Sequence, residues 1–412
     1  MRKILPLLLG LTVSAMATAQ VLAPVGRTVG GVVDTVTGQV LDPLTERTGA
    51  LLNNVSQLAA DRVSRLTGLV QRNRDTLELD DRGDPAVRGE VLGVDVSAAG
   101  IEAAKKAGFT LLDQSEIGDL GIHTVRLAAP KGTSLARALR TIRKAAPGEW
   151  TANQLHFESG TATLPMSGML AASQAAGAAK IGMIDGGIGQ HSSLSGPIEQ
   201  KGFVSGAPQP SAHGTAIAAL IVGEGSIKGV LPGASLLAAD VYGNNPAGGN
   251  ALAIAQAIGW MTGRRVMVIS ISLVGPANPL LAKTVSAART RGTFIVAAVG
   301  NDGPAAPPAY PASYPGVIAV TGVDARNRAL IEAGRALHID YAAPGADMAG
   351  AKAGGGTVPL RGTSYAAPLV AARLAGQAKP DIALLDREAV DLGKRGPDKI
   401  YGRGLICGNC RN

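Results

Sequence analysis

Phe294-Ile295-Val296-Ala297-Ala298-Val299-Gly300-Asn301-Asp302-Gly303 is an unbroken apolar run closed by a polar turn. A run with no polar alternation has no side to give to water. It therefore reads as a strand covered on both faces, the mark of a parallel sheet held between helices. Similar runs occur at Ile181–Ile184, Ser235–Val241, Val266–Ile271 and Val317–Val323. Helical patterns fall between them at Ala212–Val222, Ala251–Met261 and Pro279–Thr290. This alternation predicts an α/β fold with a mainly parallel sheet in three layers. Ligand sites in such sheets gather at the carboxyl ends of the strands, which places candidate functional residues just after each run.

Four blocks stand at such places. Asp185 closes the Ile181–Ile184 strand, where its backbone is fixed and its carboxylate can orient another group. Gly186–Gly189 beside it lacks the G-x-G-x-x-G spacing and the helix that a nucleotide loop needs. His213 begins the Ala212–Val222 helix, and its imidazole can take a proton near neutral pH. Asn301 follows the Phe294–Val299 strand, and its amide can donate to an oxyanion without bringing charge. Read alone, Gly-Asn-Asp-Gly is better accounted for as a plain turn. Ser364 lies in Gly362-Thr-Ser-Tyr-Ala-Ala-Pro368, where an extended segment turns into a helix running to about Ala375. A hydroxyl there has its own amide and the positive helix end beside it, which suits a nucleophile next to an oxyanion donor. Ala366 replaces the second glycine of a G-x-S-x-G elbow, so that arrangement is not the one present.

Together, the order Asp185, His213, Asn301, Ser364 resembles the subtilisin-like serine peptidase family. The likeness runs from about Ala178 to Leu405 through D-G-G-I, H-G-T-A, V-I-S-I-S-L-V-G-P, V-G-N-D-G, Y-P-A-S-Y-P-G-V-I-A-V, A-P-G, G-T-S-Y-A-A-P and Y-G-R-G-L. It implies Ser364 as nucleophile, His213 as general base and acid, Asp185 as the group that orients the imidazole, and Asn301 as oxyanion donor. It also implies substrate contacts from Ser272, Leu273, Val274, Gly300 and Ala309, the first three as an edge that pairs with an extended peptide. Gly186, Ala216, Tyr365 and Leu369 depart from the family's usual residues without removing a catalytic atom. Val274 and Ala309 replace glycines, so a shallow P1 pocket for small or medium apolar side chains is expected. No dense acidic loop suggests an obligatory metal, and no cofactor is expected.

The N-terminal part reads differently. Arg2 and Lys3, the apolar run Ile4–Val13 and the small residues Ala15, Ala17 and Ala19 form a signal-peptide pattern over 1–19. The apolar run is too short for a membrane span, so export to the periplasm or beyond is expected. Residues 20–84 read as a helical segment and a linker. Leu52, Val55, Ala59, Val63, Leu66 and Val70 form a helical stripe, and Glu78–Asp84 (ELDDRGD) is a charged break. Residues 85–160 follow a β-α-β-β-α-β rhythm, which is the ferredoxin-like arrangement. The family resemblance makes that unit a prosegment, an intramolecular chaperone and inhibitor that the zymogen removes by autoproteolysis between Phe157 and Ala179. Residues 170–412 are then the catalytic domain. A peptide-binding scaffold without chemistry is the competing reading.

Composition narrows the choices. Among 412 residues, 46% are hydrophobic and 17% charged, which excludes a disordered chain. Two cysteines exclude a disulfide-built scaffold or a Cys-rich zinc protein, and Cys407-Gly-Asn-Cys410 is expected as a small local disulfide. Only six Tyr, four Phe and two Trp are available, which disfavours base stacking and hence a nucleic-acid partner. The net charge of +8 resides almost wholly in residues 170–412, where 21 basic residues face 14 acidic ones. That suggests attraction to anionic surfaces or substrates.

Overall fold

The computed structural model describes residues 45–159 and 179–411; the signal-peptide reading and the first part of the 20–84 segment lie outside the described residues. The helical stripe forms helix α1 (Thr45–Arg72). The expected linker at 78–84 is a hairpin instead. Strand β1 (Leu77–Leu79) pairs antiparallel with the start of β2 (Pro85–Val94). Its charges mislead because Asp80 is turned inward at 4% exposure. One Asp80 oxygen accepts the amides of Arg82 and Asp84 at 2.8 and 2.9 Å, and the other accepts Gln154 Nε2 at 2.7 Å. A carboxylate that closes its own turn needs no water.

After β2 come α2 (Ala98–Lys106), β3 (Thr110–Glu116), β4 (His123–Ala128), α3 (Leu135–Ala145) and β5 (Glu149–Gln154). The strands lie in the order β3-β4-β2-β5, all antiparallel, with β1 alongside the first residues of β2. Ile101, Ala104, Leu135, Leu139 and Ile142 bury their helix faces against Val91, Val125 and Trp150 of the sheet. The opposite face is not left to solvent. Leu92, Val94, Ile117, Leu120 and Ile122 share a core with the second unit. Strand β6 (Phe157–Glu158) then leaves this sheet and crosses to the second unit.

That unit contains β7 (Lys180–Asp185), β8 (Gly187–Ile188), β9 (Ile198–Gly202), β10 (Pro210–Ser211), α4 (Ala212–Val222) and β11 (Ser235–Asp240). It continues through α5 (Ala251–Gly263), β12 (Val268–Ile271), β13 (Leu273–Val274), α6 (Pro279–Thr290) and β14 (Phe294–Ala298). It ends with β15 (Ile318–Val323), β16 (Tyr341–Pro344), β17 (Ala346–Ala351), β18 (Thr357–Arg361), α7 (Thr363–Ala375) and α8 (Ile382–Glu388). Seven strands form one parallel sheet in the order β16-β15-β14-β12-β7-β11-β9.

The sheet has a core on each side, which explains the unbroken apolar runs. Ile181, Met183, Leu236 and Val296 face α4 and α7, while Ile184, Leu237, Ile269 and Ile295 face α5 and α6. The five strands expected from sequence are all present, and the fold is the three-layer α/β arrangement. The polar edge strand β9 (IEQKG) and the short β16 lacked that signature. Cys407 and Cys410 are joined by the expected disulfide. Among the described residues, no helix is long and apolar enough to cross a membrane.

Candidate active site

The carboxyl end of β7 and the first turns of α4 and α7 meet at one edge of the sheet. Ser211 caps α4 by accepting the Gly214 amide, which leaves His213 in the first turn facing β7. Gly214 is required by closeness: a Cβ there would lie 2.2 Å from the Gly186 carbonyl oxygen. With α4 held this near, His213 Nδ1 and Asp185 Oδ1 are 2.8 Å apart. The same carboxylate oxygen accepts the Gly186 amide at 2.8 Å, which fixes its rotamer. Both side chains are buried. The hydrogen bond to a carboxylate makes Nδ1 the donor and leaves Nε2 as the basic nitrogen.

Ser364 follows Gly362 and Thr363 at the start of α7 and is fully buried. Gly362 has φ 145°, a backbone state that side chains avoid, and it turns the chain from β18 into the helix. Ser364 Oγ and His213 Nε2 are both buried and neither has a hydrogen-bond partner. Burial disfavours the imidazolium, but the neighbouring Asp185 and Glu158 carboxylates outweigh it and push His213 up to about 9. Tyr365 lies against the imidazole with ring centroids 5.3 Å apart.

Asn301 is held from both sides. Its Oδ1 accepts the Thr363 amide at 3.0 Å, and Thr363 Oγ1 in turn bonds the backbone of Gly300. Its Nδ2 donates to the carbonyl oxygen of Ser159. That same oxygen accepts the Ser364 amide at 3.2 Å. Two donors therefore converge on one peptide carbonyl of the N-terminal unit.

The chain leading to that carbonyl is bound along both edges. Leu273 pairs with Glu158 and Val274 with Phe157 in antiparallel register, and Ser159 donates its amide to Ser272 O at 3.1 Å. On the other side, Gly249 O accepts the His156 amide at 2.7 Å and Tyr242 Oη donates to His156 O at 2.8 Å. His156 is fully buried, and burial drives its imidazole down to about 4, so it sits neutral in this channel. Val274, Gly300 and Ala309 line a neighbouring cavity of about 300 Å³. A Cβ on Gly300 would lie 3.3 Å from Val274 Cγ1, so this valine narrows the cavity. The far wall is α1, through Arg62 and Leu66. Arg62 and Arg65 pair with Asp302 at 3.1 and 2.6 Å.

All nine residues singled out in the sequence thus lie at this edge. Reading the sequence alone missed Ser159, Glu158, Tyr242, Gly249 and Asp302. Tyr242 and Gly249 follow strand β11 and were open to the same strand-end rule, but they carry no motif. Glu158, Asp185 and His213 offer atoms within 4.8 Å of one another, the one such metal-capable group among the described residues.

The subtilase family model matches residues 177–395, more than half of the chain. The chain belongs to the subtilase family. The matched unit is a subtilisin-like serine endopeptidase domain. The minor extracellular protease Epr of Bacillus subtilis is 30% identical over 241 residues, 55% of this chain but 37% of that protein. Subtilisin Savinase of Lederbergia lenta is 31% identical over 239 residues, 55% of this chain and 88% of that one. This subtilase therefore spans little more than a third of the first relative's length. Among solved structures, fervidolysin from Fervidobacterium pennivorans superimposes with a TM-score of 0.64 at 20% identity, covering 81% of this chain and 62% of that one. An epidermin leader peptide processing serine protease from Staphylococcus aureus gives 0.61 at 18%, covering 78% and 97%. At those identities the likeness is one of fold.

Proposed function

We propose that the chain is an exported serine endopeptidase made as a zymogen, and that it cuts itself at the Ser159–Gly160 bond. The observation that carries this reading is the Ser159 carbonyl oxygen, which accepts from Asn301 Nδ2 and from the Ser364 amide. Two donors on one carbonyl stabilise the charge that develops when that carbon is attacked. Ser364 Oγ adds to the Ser159 carbonyl carbon while its proton passes to His213 Nε2. Asp185 holds the ring and stabilises the imidazolium. The Ser159–Gly160 bond breaks, the proton on Nε2 goes to the Gly160 amine, and an acyl-enzyme remains. Water then attacks the ester with His213 again as base, which frees the Ser159 carboxyl group and restores Ser364.

Residues 85–159 act as the prosegment and inhibitor. Their terminal strand fills the groove between Gly249 and β13, where Ser272, Leu273 and Val274 would hold a substrate in the same antiparallel register. After cleavage the new Ser159 carboxylate remains a product ligand until the segment leaves. Gly300 and Ala309 shape the P1 pocket with Val274, and small or medium apolar P1 residues fit its narrowed wall. Export rests on the signal-peptide pattern at 1–19. Incubating the purified precursor tests the reading: the wild type converts to a shorter chain, and Ser364→Ala stays intact. A fluorophosphonate that labels the wild type but not this variant supports the nucleophile. Conversion of the variant at the wild-type rate would overturn the assignment.

A further inference from the structure

Glu158 stands one residue before the carbonyl held by Asn301, and its carboxylate shares a site with the imidazole that must act as base. Ser211 Oγ donates to Glu158 Oε1 at 3.3 Å, and atoms of Glu158, Asp185 and His213 all lie within 4.8 Å of one another. Space for this carboxylate depends on Gly186, where a Cβ would lie 3.3 Å from Glu158 Oε1. The imidazole is thus flanked by two carboxylates, one from its own unit and one from the segment to be removed. We propose that Glu158 is a positioning residue that holds a proton on His213 and so slows self-cleavage near neutral pH.

This rests on the reading of Ser159–Gly160 as the bond cut. Attack by Ser364 needs Nε2 without a proton, whereas a second nearby carboxylate favours the protonated ring. The other groups around the site do not cancel that effect. From the end of β11, Asp240 and Tyr242 face Glu158, and from α7 so does Tyr365, none of them a cation. On the open side, Arg65 and Arg361 line a second cavity together with Glu158, but they pair with Asp302 and Glu332. His213 is therefore the cation set against the Glu158 carboxylate. Burial pushes the Glu158 carboxyl up, repulsion from Asp185 and Asp240 adds to this, and His213 opposes it. The Glu158 carboxylate and the imidazolium thus stabilise each other's charged form. The direction follows. His213 is pushed up to about 9, so the active base appears only as pH rises toward that value. Once residues up to Ser159 leave, one of the two carboxylates goes with them and the base becomes available at lower pH.

The test compares single-turnover conversion of the full precursor and its Glu158→Gln variant from about pH 6 to 10. The wild type is expected to convert with a midpoint near pH 9. Glu158→Gln should move the midpoint down by at least about one unit and convert about tenfold faster near pH 7. A purely structural role would alter rate or yield but not the midpoint. Because the variant could fold poorly, the His213 ring is also titrated by NMR in the uncleaved Ser364→Ala precursor with and without Glu158→Gln. A ring midpoint at least about one unit lower in the double variant supports the proposal. Equal ring midpoints, or equal conversion midpoints at Gly160, overturn it. A product starting elsewhere than Gly160 overturns the underlying reading as well.

Discussion

Replacing Asn301 with alanine should slow self-cleavage by about 10² to 10³, the range known for losing the corresponding donor in subtilisin itself. The Ser159 carbonyl oxygen has two donors, and the surviving one, the Ser364 amide, is the longer at 3.2 Å. Losing the Asn301 amide thus raises the barrier by about 2.7–4 kcal/mol. The same change removes the acceptor for the Thr363 amide at the start of α7, which costs stability by about 1 kcal/mol. Asn301→Asp separates these effects, because it keeps an oxygen for Thr363 but lacks the donor. It should melt close to the wild type in a Ser364→Ala background yet convert at least as slowly as Asn301→Ala. Conversion is followed by gel and intact mass, and stability by thermal melting. An Asn301→Asp precursor that converts within about threefold of the wild type would refute the argument, since the donor would then contribute little.

Other perturbations probe the surroundings. Gly214→Ala drives a methyl against the Gly186 carbonyl at 2.2 Å, so it should lower stability by about 1–3 kcal/mol and impair conversion; a normal melting curve would contradict the packing. Asp84 is pushed up to about 6, mainly by burial and next by Asp80, so the folded state favours its protonated form. Its contribution to stability is therefore lost as pH rises from its unfolded value through about 6. Asp84→Asn should stabilise the Ser364→Ala precursor by about 1 kcal/mol near pH 7 and flatten that part of its pH–stability curve. Arg62→Ala with Arg65→Ala removes two partly exposed ion pairs to Asp302. Each pair contributes about 0.2–1 kcal/mol, so the cleaved N-terminal piece should dissociate several-fold faster, as measured by recovery of peptidase activity. Val274→Gly should raise kcat/KM for P1 Phe relative to P1 Leu peptides by about tenfold, and an unchanged ratio would show that the pocket is walled elsewhere.

Much of the fold was legible because burial on both faces removes polar residues from parallel strands. Ile181–Ile184 and Phe294–Val299 stand out for that reason. The residues proposed to act through side-chain chemistry also stood out in the sequence, since Asp185, His213, Asn301 and Ser364 sit at strand ends or helix starts. Two kinds of feature were hidden. Edge elements such as β9 carry polar side chains and resemble loops, and the β1–β2 hairpin resembles a charged linker because Asp80 satisfies the turn amides itself. The other side of the groove was hidden for a different reason. Gly249 and Ser159 contribute backbone groups, which almost any residue supplies, whereas the Ser272–Val274 edge was singled out only through the family resemblance. Glu158 was unreadable because its neighbours Asp185 and His213 come from elements brought together only by folding.

The most direct test is the identity of the new N-terminus when purified precursor matures. N-terminal sequencing and intact mass should find a chain beginning at Gly160, and none should form from Ser364→Ala. A mature chain that begins at another residue, or that forms equally well without Ser364, would contradict the account.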